Sequence, residues 1–162
     1  MLSNAHKKAL ISRSEECFIL AECFFDRAFK RPTYLFNQRG RSAGSAHLQL
    51  NLIKYNSTLF SQNSADFFAQ VVPHEVAHLI TYQHYGKVRP HGKEWQYVMQ
   101  NIFNCPADTT HSLDISDVMG KQFAYQCDCT THQLTIRRHN KILKGVKYSC
   151  KKCRVELKIK NT

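Results

Sequence analysis

His74-Glu75-Val76-Ala77-His78 is the stretch whose residue types and spacing most directly imply chemistry. On a helix, positions four apart lie on one face, one turn from each other. His74 and His78 can therefore direct two imidazole nitrogens at one Zn²⁺. Glu75 stands beside the first imidazole and can reach a water on the metal without ligating it. Zinc lowers the pKa of such a water; Glu75 would accept its proton during attack on a carbonyl and pass it to the leaving amine. The neighbours Val71, Val72, Val76, Ala77, Leu79 and Ile80 suit a buried helix.

A catalytic zinc usually has three protein ligands and an open position. Two histidines compete for the third place. His84 follows His78 at the spacing of the metzincin peptidases, but the glycine that breaks their helix is here Thr81, which does not favour positive φ. If the helix continues, His84 lies about 240° round from His78. His91, in Pro90-His91-Gly92-Lys93-Glu94-Trp95, follows a glycine-containing loop that can bring it back. We favour His91 and expect His84 to be a surface or capping residue.

A second set of metal-ligand types lies near the end of the chain. Tyr125-Gln126-Cys127 and Tyr148-Ser149-Cys150 share one form, and Cys150-x-x-Cys153 has zinc-knuckle spacing. The first half, Cys127-x-Cys129-x-x-His132, is less regular. A tetrahedral zinc needs four ligands, two from each half. Cys127, Cys150 and Cys153 are natural choices; the fourth is Cys129 or His132. A zinc here would stabilise a segment with few large apolar groups. Tyr125 and Tyr148 could stack on bases or form the core of this small module. The remaining thiols, Cys17, Cys23 and Cys105, are expected to be buried.

The charge follows the same division. The chain has 162 residues and a net charge of +11. Residues 1–120 carry twelve basic against ten acidic side chains, whereas residues 121–162 carry eleven basic against two acidic. We therefore expect a nearly neutral body over 1–120 and a basic module over 121–162. Arg137, Arg138, Lys141, Lys144, Lys147, Lys151 and Lys152 surround the cysteine cluster and are the candidate nucleic-acid contacts. The apolar fraction of 43% fits a globular chain rather than a disordered one. No 18-residue apolar run exists, so we expect no membrane span. The polar N-terminal segment lacks an apolar signal region, which points to a cytoplasmic location, where thiols act as metal ligands before disulfides.

Elements must position these groups. Cys17, Leu20, Ala21, Phe24 and Ala28 predict an amphipathic helix from about Ser14 to Phe29, ended by Arg31-Pro32. Thr33 to Phe36 is β-prone. Ala46, Leu48, Leu50 and Leu52 alternate with polar residues and predict one half-buried strand. Ser64 can cap a helix through Val72, which Pro73 interrupts or kinks. A helix follows from His74 to Tyr85, with Gly86 as C-cap, and another from Glu94 to Phe103. Residues 106–121 read as a connector. From Phe123 onward we expect short β segments, with the basic run carried on a zinc-held hairpin. The fold class is α+β: a zincin-like helical core with a small edge sheet, then a β-rich zinc-ribbon-like module.

The motif set resembles the SprT family of zinc metallopeptidase-like proteins. The resemblance rests on Pro73-His74-Glu75-Val76-Ala77-His78, His91-Gly92-x-x-Trp95, the strand-like Gly44-Ser45-Ala46-His47-Leu48-x-Leu50-Asn51, and the tail from Tyr125 through Arg137-Arg138-His139 to Cys153. It implies Glu75 as the catalytic residue, with His74, His78 and His91 as ligands of a catalytic zinc. It also implies a second, structural zinc in the C-terminal module. The family's eukaryotic relatives, the Spartan proteins, are DNA-dependent proteases that digest proteins crosslinked to DNA, which implies protein substrates and a DNA partner. The alternative is a nucleic-acid-binding regulatory protein whose zinc sites support little or no peptidase activity.

Overall fold

A computed structural model describes residues 2–110 and 113–160. The chain forms two compact units, Met1–Val118 and Met119–Thr162, each with its own apolar core. The architecture is α+β, as expected. Among the described residues no helix is long and apolar enough to cross a membrane.

The first unit opens with α1 (Asn4–Phe25), longer at its start than the apolar periodicity indicates. Ser3 caps it by accepting from the His6 amide, and it ends at Asp26, which adopts left-handed φ, well before Pro32. Its buried face is Leu10, Ser14, Cys17, Phe18 and Ala21; Leu20 and Phe24 are about half exposed. Cys23 is exposed, contrary to expectation, because it falls outside that face. Arg31 then ties the chain back to α1 through Glu15 and Glu22 while its guanidinium lies over Phe18.

Three short strands follow: β1 (Thr33–Leu35), β2 (Gly44–His47) and β3 (Leu52–Tyr55). Their order is β1-β3-β2, with β1 parallel and β2 antiparallel to β3, so β2 is an edge. The alternating run read as one strand is in fact a hairpin. The chain turns between His47 and Leu52, with Asn51 in left-handed φ and Leu50 73% exposed. Asparagine tolerates that conformation through its short polar side chain. Asn56, 1% exposed, sets the approach to β2. Its Oδ1 accepts from the Thr58 and Leu59 amides, capping α2 (Ser57–Gln62), while its Nδ2 donates to the Gly40 and Ser42 carbonyls.

The central helix is one continuous rod of three pieces: α3 (Ser64–Asp66), a π turn (Phe67–Val71) and α4 (Val72–Tyr85). Pro73 neither breaks nor ends it. Proline has no N–H to donate, which frees carbonyls one turn earlier. Two side chains approach them: Arg13 Nε donates to Phe68 O at 3.1 Å, and Cys105 Sγ lies 3.6 Å from Ala69 O. Gly86 closes α4 with positive φ, its amide bonded to Tyr82 O. α5 (Lys93–Tyr97) runs into a second π turn (Val98–Ile102) that buries Val98 and Met99.

The second unit is a three-stranded antiparallel sheet ordered β5-β4-β6, from β4 (Gln122–Gln126), β5 (Thr131–Thr135) and β6 (Lys158–Ile159). The basic run is not a hairpin. It is the helix α6 (Ile136–Leu143), docked by His139, whose ring stacks on Phe123 at 3.7 Å and whose Nδ1 meets Tyr125 Oη at 3.0 Å. Around it Tyr125, Leu134, Cys150 and Leu157 form the small core, so Tyr125 is structural.

Candidate metal centres

α4 presents His74 and His78 one turn apart on a single face, as their spacing requires. His91 joins them from the loop after Gly86. It adopts left-handed φ of 55°, an unfavourable conformation for a non-glycine residue. Gly92 permits the tight turn there, because a Cβ on it would sit 2.9 Å from Arg89 O. The three Nε2 atoms converge: His74 to His78 is 3.2 Å, His78 to His91 is 3.1 Å and His91 to His74 is 3.0 Å. Three nitrogens on a tetrahedral zinc at about 2.05 Å would be separated by about 3.3 Å. The tripod therefore fits that ion. Burial, followed by the charges of His74 and His91, pushes His78 down to about 3, so it stays neutral and free to ligate. Burial lowers His91 as well.

Glu75 is 7% exposed beside this tripod. Burial pushes its carboxyl up to about 8, opposed by a hydrogen bond from the Ala46 amide of β2. Gly44, at the start of the same strand, comes so close that a Cβ there would lie 2.8 Å from Glu75 Cγ and 2.9 Å from Oε1. Sequence reasoning missed this role for Gly44, although a glycine at a strand end signals close approach of another group. Two cavities meet at His74 and Glu75. One, of about 420 Å³, is bounded by Arg41, Val71 and Met99; the other, of about 310 Å³, by Leu48, Tyr82 and His91.

His84 does not join the tripod. Its ring stacks on Phe25 at 4.0 Å. Trp95, by contrast, lies against all three imidazoles and is 1% exposed. The sequence places Trp95 in the motif of the resemblance and on the helix expected from Glu94 to Phe103, but gives it no role beside the imidazoles.

In the second unit the sulfurs of Cys127, Cys129, Cys150 and Cys153 all lie within 4.8 Å of one another. Cys127 to Cys129 is 3.4 Å and Cys129 to Cys150 is 3.7 Å. Tetrahedral zinc thiolates at about 2.3 Å would place sulfurs about 3.8 Å apart, so this cluster also fits the ion. Both candidates for the fourth place are present. Cys129 completes the group of four sulfurs, and His132 Nε2 lies 3.3 Å from Cys127 Sγ. Burial raises the Cys127 thiol, but hydrogen bonds from the Cys129 amide and His132 outweigh it and lower its pKa, favouring the thiolate that zinc binds.

The cations named from the sequence are all exposed on this unit: Arg137, Arg138 and Lys141 on α6, then Lys144, Lys147, Lys151 and Lys152. Lys147 pairs with Glu156 at 3.3 Å.

Comparison with known proteins matches these two units to two described domains. A model of the SprT-like family covers residues 14–111, and a model of the SprT-like zinc ribbon domain covers residues 121–161. The chain belongs to the SprT-like family. Protein SprT of Vibrio atlanticus is 54% identical over 143 residues, 88% of this chain and 86% of the relative. Protein SprT of Shewanella oneidensis is 47% identical over 152 residues, 93% and 97% of the two chains. Protein SprT of Klebsiella pneumoniae is 41% identical over 150 residues, 92% and 90% of the two. No solved structure matches the chain. The SprT-like model spans α4 and His91, and the zinc ribbon model spans all four clustered cysteines, so both candidate centres lie inside matched domains.

Proposed function

We propose that this chain is a cytoplasmic zinc peptidase that cleaves DNA-bound or DNA-crosslinked proteins, with residues 1–120 as the peptidase body and 121–162 as the DNA-directing module. The observation that carries the proposal is the buried Glu75 carboxyl beside three converging imidazoles, next to the edge strand β2. A purely structural site has no use for a carboxylate held there and favours four protein ligands.

His74, His78 and His91 would hold the ion, which when bound supplies Lewis-acid activation of a water and polarises the scissile carbonyl. Glu75 accepts the attacking water's proton and returns it to the leaving amine. Its position is set from β2, by the Ala46 amide and the bare Cα of Gly44. β2 is an edge strand of its sheet beside this site, where an extended substrate could run along it. In the second unit Cys127, Cys150 and Cys153, with Cys129 as fourth ligand, would hold a structural zinc, and His132 would donate to the Cys127 sulfur. That ion would fix α6 and its neighbouring cations in a rigid arrangement able to contact phosphates.

The test is cleavage of a DNA-binding protein by the purified chain, with and without single-stranded DNA, across a salt series. Cleavage that requires DNA and falls steeply with salt supports the proposal. DNA binding without cleavage under any condition supports a regulatory protein instead. Salt-independent cleavage without DNA would leave the basic charge as a solvated surface.

A further inference from the structure

We propose that Trp95 is the positioning residue for the histidine tripod, holding all three imidazoles in ligating orientation, and that its fluorescence reports metal at that site. The proposal rests on reading His74, His78 and His91 as metal ligands.

The indole centroid lies 4.8 Å from the His74 ring, 5.5 Å from His78 and 4.6 Å from His91. It meets His74 and His91 edge-on, at 65° and 77°, and stacks on His78 at 27°. Its N–H donates to the His74 carbonyl at 3.3 Å. One side chain on α5 thus touches both ligands on α4 and the ligand on the intervening loop. A mere core filler would have no reason to contact all three.

The physical need is specific. Each Nε2 offers one proton or one lone pair, so among three that converge at about 3 Å without a cation one N–H···N pair can form and the third nitrogen is left over. Each ring must therefore be restrained from rotating away by something other than the metal. An imidazole torsion of this kind is broad and roughly two-fold, so the backbone alone does not set it. The indole fills the volume the rings would need, and its N–H fixes its own orientation. His91 depends on it most, since it comes from a loop rather than from α4. A smaller residue at 95 would free the rings, and ordering them would then oppose metal binding. Loss of such supporting contacts around a metal site typically costs about 10–100-fold in affinity.

Trp95 is the sole tryptophan in the chain, so its emission can be assigned without ambiguity. The test uses the full chain, stripped of metal and titrated with Zn²⁺ against a chromophoric chelator. We expect zinc to change the emission of the wild type and of Cys150→Ser, but not of His91→Ala. We expect Trp95→Phe to remain folded by circular dichroism while the histidine-site affinity falls about tenfold, and Trp95→Leu to lose more. Phenylalanine keeps an aromatic face but lacks the N–H, so it decides the matter alone if the leucine variant fails to fold. Wild-type zinc affinity in folded Trp95→Phe, or emission blind to zinc while the wild type loads its histidines, overturns the positioning role. A wild type whose zinc content is the same as that of His74→Ala overturns the metal reading itself, and this proposal with it.

Discussion

Gly44→Ala perturbs Glu75 without touching any proposed metal ligand. The added methyl would start 2.8 Å from Glu75 Cγ, 2.9 Å from Oε1 and 3.1 Å from Cδ. Carbon atoms in ordinary contact sit about 3.5–4.0 Å apart, so strand and side chain must separate by about 0.7 Å or more. Glu75 has little room to yield, being 7% exposed and hydrogen-bonded to the Ala46 amide on the strand that would be pushing it. A misplacement of about 1 Å in a catalytic group costs about 100-fold, or ~2.7 kcal/mol in the barrier. Overpacking should also cost about 1–3 kcal/mol of stability. The assay is initial-rate cleavage of a DNA-binding protein, with zinc content and thermal midpoint read on the same preparation. We expect kcat/KM to fall about 100-fold and zinc content to stay at the wild-type value. A folded Gly44→Ala chain with activity within twofold of wild type would refute the placement of Glu75 by β2.

Three further outcomes are expected. In the metal-free chain two buried groups pull stability in opposite directions. His78, lowered to about 3, contributes stability that is present above about 6.5 and lost as pH falls toward 3; Glu75, raised to about 8, contributes stability present below about 4.5 and lost as pH rises toward 8. The thermal midpoint of chelator-treated protein should therefore be highest between about pH 4.5 and 6.5, and Glu75→Gln should remove the decline on the alkaline side; an unchanged alkaline decline in that variant would contradict the burial of Glu75. Arg13→Ala should cost about 1–3 kcal/mol in denaturant unfolding, because it strips the Phe68 carbonyl at the π turn of its donor; a cost near zero would mean that water replaces the guanidinium there. Neutralising Arg137, Arg138 and Lys141 together should lower the slope of log affinity against log salt for single-stranded DNA by roughly 2, since each phosphate contact contributes about 0.7; an unchanged slope would remove α6 from the interface.

The chemistry-bearing residues were legible in the sequence because their spacing carries the geometry. His74 and His78 need only a helix to share a face, and the four cysteines need only two close pairs brought together. His91 was preferred over His84 for the same reason, since a continuous helix carries His84 away, here onto Phe25. What stayed hidden depends on contacts between segments distant in sequence. The helix runs through Pro73 by way of a π turn, with Arg13 donating to the Phe68 carbonyl there, which no local pattern announces. The alternation through Leu48 and Leu50 imitates one strand, yet Asn51 turns the chain and leaves Leu50 in solvent. The expected hairpin overlooks α6, although its segment is amphipathic at the helical period; its anchor, His139 on Phe123, is again a long-range contact. Trp95 and Gly44 stand in motifs of the resemblance, but their roles come from what lies against them.

The central claim is that Glu75 is the base of a hydrolytic site rather than a buried acid in a structural one. Wild type and Glu75→Gln, purified alike, should be compared for zinc per chain, single-stranded DNA affinity and cleavage of a DNA-bound protein. We predict that the variant keeps two zinc ions and full DNA affinity while cleavage falls by about 10²–10⁴, the range attributed to a positioned acid–base group. Cleavage by Glu75→Gln at the wild-type rate would contradict the account.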